Sequence, residues 1–469
     1  MNRLAVSILL QIACVLVPSA RALAQTVTDR EIANRVAVYL KPFGDTGNLS
    51  GTVLVARHGR VLFRQSYGMA NYELHVPNSS ETRYHIASIS KPFTAIAILQ
   101  LQERGLLSVS DHLSRFLPDF PNGDRITLDM LLTHTSGIHD VNDLPDFDDF
   151  ARSPHTLEQV VAKFAGVPLD FQPGTDQQYS NSNYNLLALV LEKVSGESYE
   201  DYLRKHIFEP AGMHNTGADL DATRVVPSLA SGYYPAGITG YEKAPYLDWS
   251  NKTGNGNLYS TADDLLRFDR ALNTDTLLKS ATRQKYFVER EGPLGEGNLY
   301  GWYMWKRKGH RLMAGKGHGT GFTAELDRYP DDEVTVILLT NSHSEVIDDP
   351  IIAPSLEAII FGEQVPPVEP MRAVAIPESL LASYAGQYQY GPDYRFDPNA
   401  RFTLTAKNGF LFMRIGDSHM PLVPISQTEF VERFHFGRVT MTTDPAGNVS
   451  GLTMRYGSRT FAARRLDEK

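Results

Sequence analysis

A proline-rich segment near residue 370 most constrains how this chain can fold. Residues 363–379 show little hydrophobic periodicity and contain Pro366, Pro367, Pro370 and Pro377. Because proline lacks a backbone N–H and restricts the residue before it, such a segment is typical of a linker. The chain has 469 residues, which is long for one average domain. We therefore expect a large domain over residues 25–362 and a smaller one over residues 380–469.

The first 24 residues have the pattern of a secretory signal peptide. Arg3 provides a positive start, residues 4–17 are largely apolar, and Ala22-Leu23-Ala24 has the small residues of a cleavage site. The apolar run is short for a membrane helix, which needs about 20 residues. We expect cleavage after Ala24, export to the periplasm of a bacterium or beyond it, and no stable membrane span afterwards.

Composition excludes several classes of function. The only cysteine, Cys14, lies in the predicted signal peptide, so the mature chain would have no disulfide, thiolate zinc site or cysteine nucleophile. Lys and Arg total 45 against 54 Asp and Glu, and a net charge of -9 argues against a nucleic-acid partner. Hydrophobic residues make up 42%, which is sufficient for a sizeable core.

Hydrophobic patterning outlines the two domains. Residues 51–69 predict a β-hairpin, and residues 92–104 predict a helix that is apolar over most of its surface. A second helix is expected over residues 184–194. Residues 334–339 are apolar on both faces, which is typical of a central strand. Beyond the linker, short alternating stretches separated by turn residues predict a small antiparallel β domain over residues 380–469.

The first candidate site element is Ser88-Ile89-Ser90-Lys91, directly before the predicted helix over residues 92–104. Residues three apart share one helical face, so Lys91 can reach the Ser88 hydroxyl. Serine needs a base to become a nucleophile, and a buried lysine can act as one because desolvation lowers its pKa. The spacing predicts a nucleophile and its base, although an ordinary helix start can have the same pattern.

The second element is Tyr179-Ser180-Asn181, which precedes the predicted helix over residues 184–194. A tyrosine hydroxyl near a lysine can relay a proton, and an asparagine amide can hold the lysine or a substrate amide. Taken alone, this pattern also fits a loop tyrosine followed by an asparagine at a helix start.

The third element is a basic and glycine-rich segment at residues 316–322, Lys-Gly-His-Gly-Thr-Gly-Phe, just before a predicted strand. Small residues let a substrate backbone lie along a strand edge, and a cation there suits a carboxylate. The alternative is a glycine-rich turn between two strands.

In this order, the three elements resemble the motifs of penicillin-recognising serine hydrolases. The resemblance is greatest to the branch of class C β-lactamases, DD-peptidases, D-aminopeptidases and related esterases. Two further segments are similar to that branch: residues 131–138, Leu-Leu-Thr-His-Thr-Ser-Gly-Ile, and residues 258–265, Leu-Tyr-Ser-Thr-Ala-Asp-Asp-Leu. Five segments in the same order make chance agreement improbable, and the resemblance covers residues 30–362.

The resemblance implies an α+β fold, with an antiparallel sheet flanked by helices and a helical subdomain that holds the tyrosine loop. It also implies a mechanism. Ser88 would attack a carbonyl to form an acyl-enzyme, Lys91 and Tyr179 would act as a coupled base, and Asn181 would position Lys91 and the substrate. Water would then release the acyl group, and no metal or organic cofactor would be needed.

The third element fits the K-T-G or H-x-G motif of this branch in two registers. In the register that we favour, which follows residue type, the motif is residues 318–320, and the oxyanion would be held by the backbone N–H groups of Ser88 and Gly321. By distance from Gly321-Phe322 the motif is residues 315–317, and the second donor would be His318. The candidate substrate-binding residues are Asn181, His318, Gly319, Thr320 and Lys316.

We therefore expect an exported serine hydrolase that acts on D-amino-acid-containing peptides or small esters. The expected partner is a small-molecule or peptide substrate. The alternatives are a weak β-lactamase and a catalytically silent homologue used for binding. The presence of Ser88, Lys91 and Tyr179 together argues against the silent homologue.

Overall fold

The structure is a computed structural model of the whole chain. It describes residues 28–236, 240–288, 298–347, 351–368, 373–394, 399–407, 409–415, 418–456 and 459–466. The predicted signal peptide over residues 1–24 and its Cys14 lie outside the described residues. None of the helices in these ranges is long and apolar enough to cross a membrane.

The larger part of the chain is built on a seven-stranded antiparallel sheet. Its strands come from both ends of this region: β1 (Gly51–Arg57), β2 (Arg60–Tyr67), β10 (Asn298–Leu299), β11 (Trp302–Arg307), β12 (His310–Gly319), β13 (Phe322–Tyr329) and β14 (Val334–Thr340). The spatial order is β10-β11-β12-β13-β14-β1-β2. The predicted hairpin is thus β1–β2, at one edge of the sheet.

The predicted central strand, β14, lies between the N-terminal hairpin β1–β2 and the later strands β10–β13. It pairs with β13 on one side and with β1 on the other, where Val53 lies opposite Leu338. All seven residues of β14 are buried, because helices cover both faces of the sheet. A strand covered on both faces needs apolar side chains at every position, which explains the continuous run in the sequence.

Helices pack on both faces of this sheet or form the subdomain beside it: α1 (Asp29–Asp45), α2 (Ser90–Glu103), α3 (Leu128–Leu132), α4 (Phe147–Phe150), α5 (Leu157–Ala165), α6 (Asn181–Ser195), α7 (Tyr199–Leu203), α8 (Glu209–Ala211), α9 (Ala262–Leu272), α10 (Ser280–Tyr286) and α11 (Ile352–Ile360). Helices α1 and α11 share one core with the first face, and α2, α6 and α9 share a larger core with the second.

The two helices predicted from the sequence are α2 and α6. Helix α2 is buried along most of its length, as its apolar surface indicates. Helix α6 packs against α2, α3 and α5 and ends at Gly196, whose φ of 73° closes the helix in a left-handed conformation that suits glycine. Both helices begin earlier than predicted, at Ser90 and Asn181.

Short strand pairs connect the sheet to the helical subdomain: β3 (Met69–Asn71) with β4 (Val76–Pro77), β5 (Tyr84–His85) and β6 (Gly217–Ala218) with β9 (Leu258–Ser260), and β7 (Tyr233–Ala236) with β8 (Gly240–Lys243). Strand β5 leads directly into the segment that carries Ser88.

The C-terminal part of the chain forms a closed antiparallel barrel after helix α12 (Glu378–Tyr384). Its strands follow chain order around the barrel: β15 (Gly386–Tyr390), β16 (Arg401–Lys407), β17 (Phe410–Ile415), β18 (Ser418–Pro424), β19 (Glu429–Glu432), β20 (Gly437–Thr443), β21 (Val449–Tyr456) and β22 (Arg459–Arg465). Pairing of β15 with β22 closes the barrel. Alternate residues such as Leu404, Met413 and Leu452 point into its core.

The predicted fold class, an antiparallel sheet flanked by helices with a smaller antiparallel β domain, is confirmed. In the predicted linker, residues 363–368 and 373–377 have no helix or strand. Helix α12 begins at Glu378 and packs Leu381 and Tyr384 into the barrel core.

Candidate active site

Ser88 lies in a single 3₁₀ turn, Ala87–Ile89, immediately before α2. Ala87 has a φ of 44°, in the left-handed region that is costly for a residue with a side chain. Such strain persists only where the surrounding structure enforces it, and it is common at active sites. Ser88 is partly exposed, and the N terminus of α2 behind it favours negative charge on its oxygen.

Lys91 is fully buried and has three partners. Its Nζ lies 3.0 Å from Ser88 Oγ, 2.8 Å from Asn181 Oδ1 and 3.0 Å from the carbonyl oxygen of Asn255. A neutral amine has two N–H bonds and one lone pair. The two amide oxygens can only accept hydrogen bonds, so in the neutral form they take both N–H groups. The lone pair then faces Ser88, and Lys91 is placed to accept its proton.

Electrostatics favour this neutral form. Burial lowers the pKa of Lys91 well below its usual range, and Lys252 lowers it further. The charge of Asp140 opposes this effect. Asp140 does not contact Lys91, because Asn181 Nδ2 donates to Asp140 Oδ2 at 2.8 Å and stands between the two groups. Asn181 therefore orients Lys91 without giving it a carboxylate partner.

Tyr179 completes the contacts of Ser88. Its hydroxyl donates to Ser88 Oγ at 2.8 Å, and its ring centroid is 4.7 Å from Lys91 Nζ. Burial of the hydroxyl raises the pKa of Tyr179, which keeps the side chain a neutral phenol near pH 7. Ser88 Oγ thus accepts a hydrogen bond from Tyr179 and is free to donate its own hydrogen to Lys91.

His134 holds the tyrosine loop in place. Its Nδ1 accepts a hydrogen bond from the Ser180 backbone N–H at 3.1 Å, and its ring stacks on Tyr179 with centroids 4.6 Å apart. The segment over residues 131–138, singled out in the sequence, therefore positions the side chain that contacts Ser88. No group of three or more His, Cys, Asp or Glu side chains in the described part of the chain could hold a metal ion.

Ser88 opens into a cavity of about 430 Å³. The lining includes most of the predicted site residues, namely Ser88, Tyr179, Asn181, Lys316, His318, Gly319 and Thr320. Gly321 is not among the lining residues. It lies in the turn between β12 and β13, packed beside Gly232 and Ala244, and its carbonyl accepts a hydrogen bond from Tyr233.

The register of β12 determines which backbone groups face Ser88. Arg307 pairs with His310 across a two-residue turn, so even-numbered residues of β12 point their N–H groups away from β13 and towards the β11 side. Strand β11 pairs no further than Ala314. The N–H of His318 therefore points towards the side where the turn Ala87–Ile89 lies.

Gly317 permits the close approach of β12 to that turn. A Cβ at this position would overlap the carbonyl oxygen of Ile86 and lie 3.3 Å from the backbone nitrogen of Ser88. Only a glycine lets the two backbones meet here. Gly317 and the N–H of His318 thus lie beside the N–H of Ser88.

Lys316 has a charged partner beneath the cavity. Its Nζ lies 3.2 Å from Glu325 Oε1, and the two residues are opposite each other on β12 and β13. Glu325 is fully buried. Much of the positive charge of Lys316 is therefore matched within the protein.

Two residues of the site, Lys252 and Asn255, were not predicted from the sequence. Lys252 lines the cavity, donates to Asn142 Oδ1 at 2.7 Å, and has its pKa lowered to about 8 by burial. It lies outside the five segments that resemble the family motifs, so nothing in the sequence singled it out. Asn255 contributes its backbone carbonyl, which no side-chain motif can reveal. Tyr234, Trp249 and His343 also line the cavity.

Comparison with known proteins identifies the family of this chain. The family model described as Beta-lactamase matches residues 29–355. The chain belongs to the beta-lactamase family. Penicillin-binding protein 4* of Bacillus subtilis (strain 168) is 30% identical over 448 residues, which cover 90% of this chain and 96% of that protein. The predicted resemblance to penicillin-recognising serine hydrolases is thus confirmed.

Two solved structures of beta-lactamase fold are similar to this chain. The penicillin binding protein from Bacillus halodurans is 30% identical, with a TM-score of 0.60 over 68% of this chain and 98% of its own. The D-amino acid amidase from Ochrobactrum anthropi SV3 is 21% identical, with a TM-score of 0.59 over 66% of this chain and 92% of its own, and shows a common fold. Members of the beta-lactamase family are serine hydrolases that act on amide and ester bonds, and this chain is one of them.

Replacing Gly317 by alanine tests the approach of β12. We expect the added Cβ to displace the turn that carries Ser88, and the rate at which Ser88 displaces fluoride from a phosphonylating probe to fall by about 10²-fold. The measurement is the rate of labelling by a fluorophosphonate. Gly166→Ala is the matched control, because Gly166 has a φ of -87° and open space around it. Equal labelling rates in the Gly317→Ala and Gly166→Ala variants would contradict the conclusion that Gly317 is needed for the close approach of β12 to Ser88.

Proposed function

We propose that this protein is an exported serine hydrolase that forms an acyl-enzyme on Ser88. Its proposed substrates are amides or esters of D-amino-acid-containing peptides, or small esters. One observation carries the catalytic assignment: Lys91 Nζ lies within 3.0 Å of Asn181 Oδ1, the Asn255 carbonyl oxygen and Ser88 Oγ. In the neutral amine the two amide oxygens take both N–H groups, and the lone pair faces the Ser88 hydroxyl.

Acylation then follows from the positions of three side chains. Lys91 accepts the hydroxyl proton of Ser88 as Oγ attacks the substrate carbonyl carbon. Collapse of the tetrahedral intermediate needs a proton on the leaving nitrogen or oxygen. The Tyr179 hydroxyl, 2.8 Å from Ser88 Oγ, is a neutral phenol and can supply it. The proton held by Lys91 restores the tyrosine, and water releases the acyl group by the reverse path.

The oxyanion is proposed to bind the backbone N–H groups of Ser88 and His318. The N–H groups of even-numbered residues in β12 point away from β13, so the N–H of His318 points towards the turn that carries Ser88. Gly317 lets the two backbones come together. Gly321, the other candidate, does not line the cavity. This arrangement supports the register in which residues 315–317 form the third motif.

The cavity supports a substrate that carries negative charge or many carbonyl groups. Lys252 lines it, whereas Glu325 matches much of the positive charge of Lys316, and none of the described residues that line the cavity is aspartate or glutamate. A peptide carboxylate would suit such a surface. The D-amino acid amidase and the penicillin-binding proteins among the similar proteins support D-configured peptides as the first class to examine.

A matched substrate series tests this proposal. The series comprises the p-nitroanilides of D-alanine and L-alanine, p-nitrophenyl acetate and a chromogenic cephalosporin, each with Ser88→Ala as the blank. We expect serine-dependent release from the D-anilide or the acetate, in preference to the L-anilide and the cephalosporin. Faster cleavage of the L-anilide would reject the D-configured class, and faster cleavage of the cephalosporin would indicate a β-lactamase.

The pKa of Lys252 predicts how binding depends on pH. Lys252 is positively charged below its pKa of about 8 and neutral above it. For a substrate with a free carboxylate, we therefore expect KM to rise as pH increases through 8. In Lys252→Met the KM is expected to be high at every pH, without this step.

A neutral ester and a distant lysine provide the controls for Lys252. The KM of the neutral ester should show no such step, and Lys193→Met, which changes an exposed lysine on α6, should keep the wild-type profile. A step that survives in Lys252→Met would assign it to another group.

A further inference from the structure

The turn between β19 and β20 leaves the barrel and enters the hydrolase domain. Arg433, at the start of this turn, is only 3% exposed. Glu432, beside it, is fully buried and accepts hydrogen bonds from the backbone N–H groups of Phe434 and His435. The carboxylate thus shapes the turn and leaves the guanidinium to point outwards from the barrel.

Arg433 binds oxygens that belong to the hydrolase domain. Its Nε donates to Asn48 Oδ1 at 3.0 Å, and its Nη2 donates to the carbonyl of Gly47 at 3.2 Å. Its Nη1 donates to the carbonyls of Ala236 and Gly240, at 3.0 and 2.8 Å. These four oxygens are neutral, and an apolar side chain in place of Arg433 would remove a hydrogen-bond donor from each of them. Arg433 therefore links the barrel to four positions of the hydrolase domain by hydrogen bonds.

The carbonyls of Ala236 and Gly240 lie at the two ends of the β7–β8 connection. Tyr234, on the same hairpin, lines the cavity in front of Ser88. Strand β7 is tied further to the sheet because Tyr233 N–H donates to Asn341 and His343 N–H donates to Tyr233. Arg433 is therefore linked to one wall of the cavity through the backbone of this hairpin.

The next residue of the turn reaches the same wall. The Phe434 ring stacks on His343 with centroids 4.9 Å apart and an interplanar angle of 16°. His343 lines the cavity, and its Nδ1 donates to the carbonyl of Gly319 at 2.5 Å. The hydroxyl of Ser344 shares its one hydrogen between the carbonyls of Arg433 and Phe434, at 3.0 and 3.1 Å, which fixes the turn against this segment.

We propose that the barrel is part of the substrate site, because its residue Arg433 positions one wall of the cavity. Through the β7–β8 hairpin and the His343 segment, it holds the wall formed by Tyr234 and His343. This wall is built from other elements than the Ser88, Lys91 and Tyr179 cluster. It would recognise the part of a substrate that extends beyond the reacting bond. The proposal requires a reactive Ser88 but no particular substrate.

Two fluorophosphonates that share one reactive group test this role. One carries an ethyl group and reaches only Ser88, and the other carries a decyl chain that must lie along the cavity. In Arg433→Met and Arg433→Lys we expect kinact/KI for the decyl probe to fall about tenfold, and that for the ethyl probe to change by less than about twofold. Arg433→Lys should not restore labelling by the decyl probe, because one ammonium group cannot replace the hydrogen bonds that the three guanidinium nitrogens donate.

Controls separate positioning from general damage. Arg455→Met changes an exposed arginine on β21 of the same barrel and should leave both rates unchanged. Phe434→Ala removes only the stack on His343 and should reduce labelling by the decyl probe but not by the ethyl probe. If Arg433→Met does not fold, this variant still tests whether the turn positions the cavity wall. Equal losses with both probes, or no loss with either, in the folded variants would overturn the proposal. Labelling of the wild type by the ethyl probe tests Ser88 separately.

Discussion

Ser88→Ala is expected to abolish labelling by a fluorophosphonate and to reduce hydrolysis by about 10⁴-fold or more, because no other group can take its place as nucleophile. Intact-protein mass spectrometry should show one adduct on the wild-type chain and none on the variant. The substitution leaves Lys91 bonded to Asn181 and Asn255, so the fold should be preserved.

Ser90→Ala is the sharpest control for this experiment. Ser90 lies two residues away, but its side chain is fully buried and accepts a hydrogen bond from the Leu258 backbone N–H at 3.1 Å. We expect this variant to retain the adduct. An adduct that persists in Ser88→Ala would place the nucleophile elsewhere. The absence of an adduct on folded wild-type protein would contradict an activated serine altogether.

Lys91→Arg and Lys91→Met are expected to be nearly as damaging, with a fall in acylation rate of about 10³-fold. Arginine keeps the positive charge and the hydrogen-bond donors, but its guanidinium does not lose a proton in proteins. Methionine has no charge and no group that can accept a proton near pH 7. If Lys91 acts as the base, both variants fail; if it only supplied charge, arginine would retain activity.

The pH profile of the wild type gives a second measure of the same role. Burial lowers the pKa of Lys91, and only the deprotonated amine can accept the Ser88 proton. The rate of acylation should therefore rise with pH through this lowered pKa and then level off. Single-turnover labelling across the pH range would show this. Retention of a tenth or more of the wild-type rate in Lys91→Arg would exclude proton transfer to Lys91.

The contacts around Ser88 were predictable because their residue types carry the chemistry. Serine and lysine three apart, followed by tyrosine and asparagine before the next helix, predicted side chains that the fold does bring together. The helix starts were less predictable. Asn181 begins α6, and its contact with Asp140 was not predicted, because a tertiary contact with a residue outside the recognised elements leaves no local signal.

The third motif shows why residue type alone was insufficient. His318 resembles the usual motif residue, yet what decides its role is the direction of its backbone N–H. That direction depends on the two-residue turn between β11 and β12, several residues earlier. Lys252 and Arg433 were missed for a related reason: each reaches the site from a segment without any recognised motif, and distance along the sequence conceals the contact.

The pairing of β1 with β14 has a consequence for how the chain is made. Gly51 pairs with Tyr67 of β2 on one side, but its partner on the other side is Thr340, so the sheet cannot be completed until most of the chain has left the ribosome. Contacts of such long sequence separation slow folding, because a large loop must be ordered before they form. Until then, the side of β1 that pairs with β14 is an unpaired edge, and a chain arrested before residue 334 would expose it permanently. We expect such truncated chains to aggregate. Newly made protein is therefore most vulnerable just before β14 is added, when α2 and its serine exist but have no completed sheet to hold them.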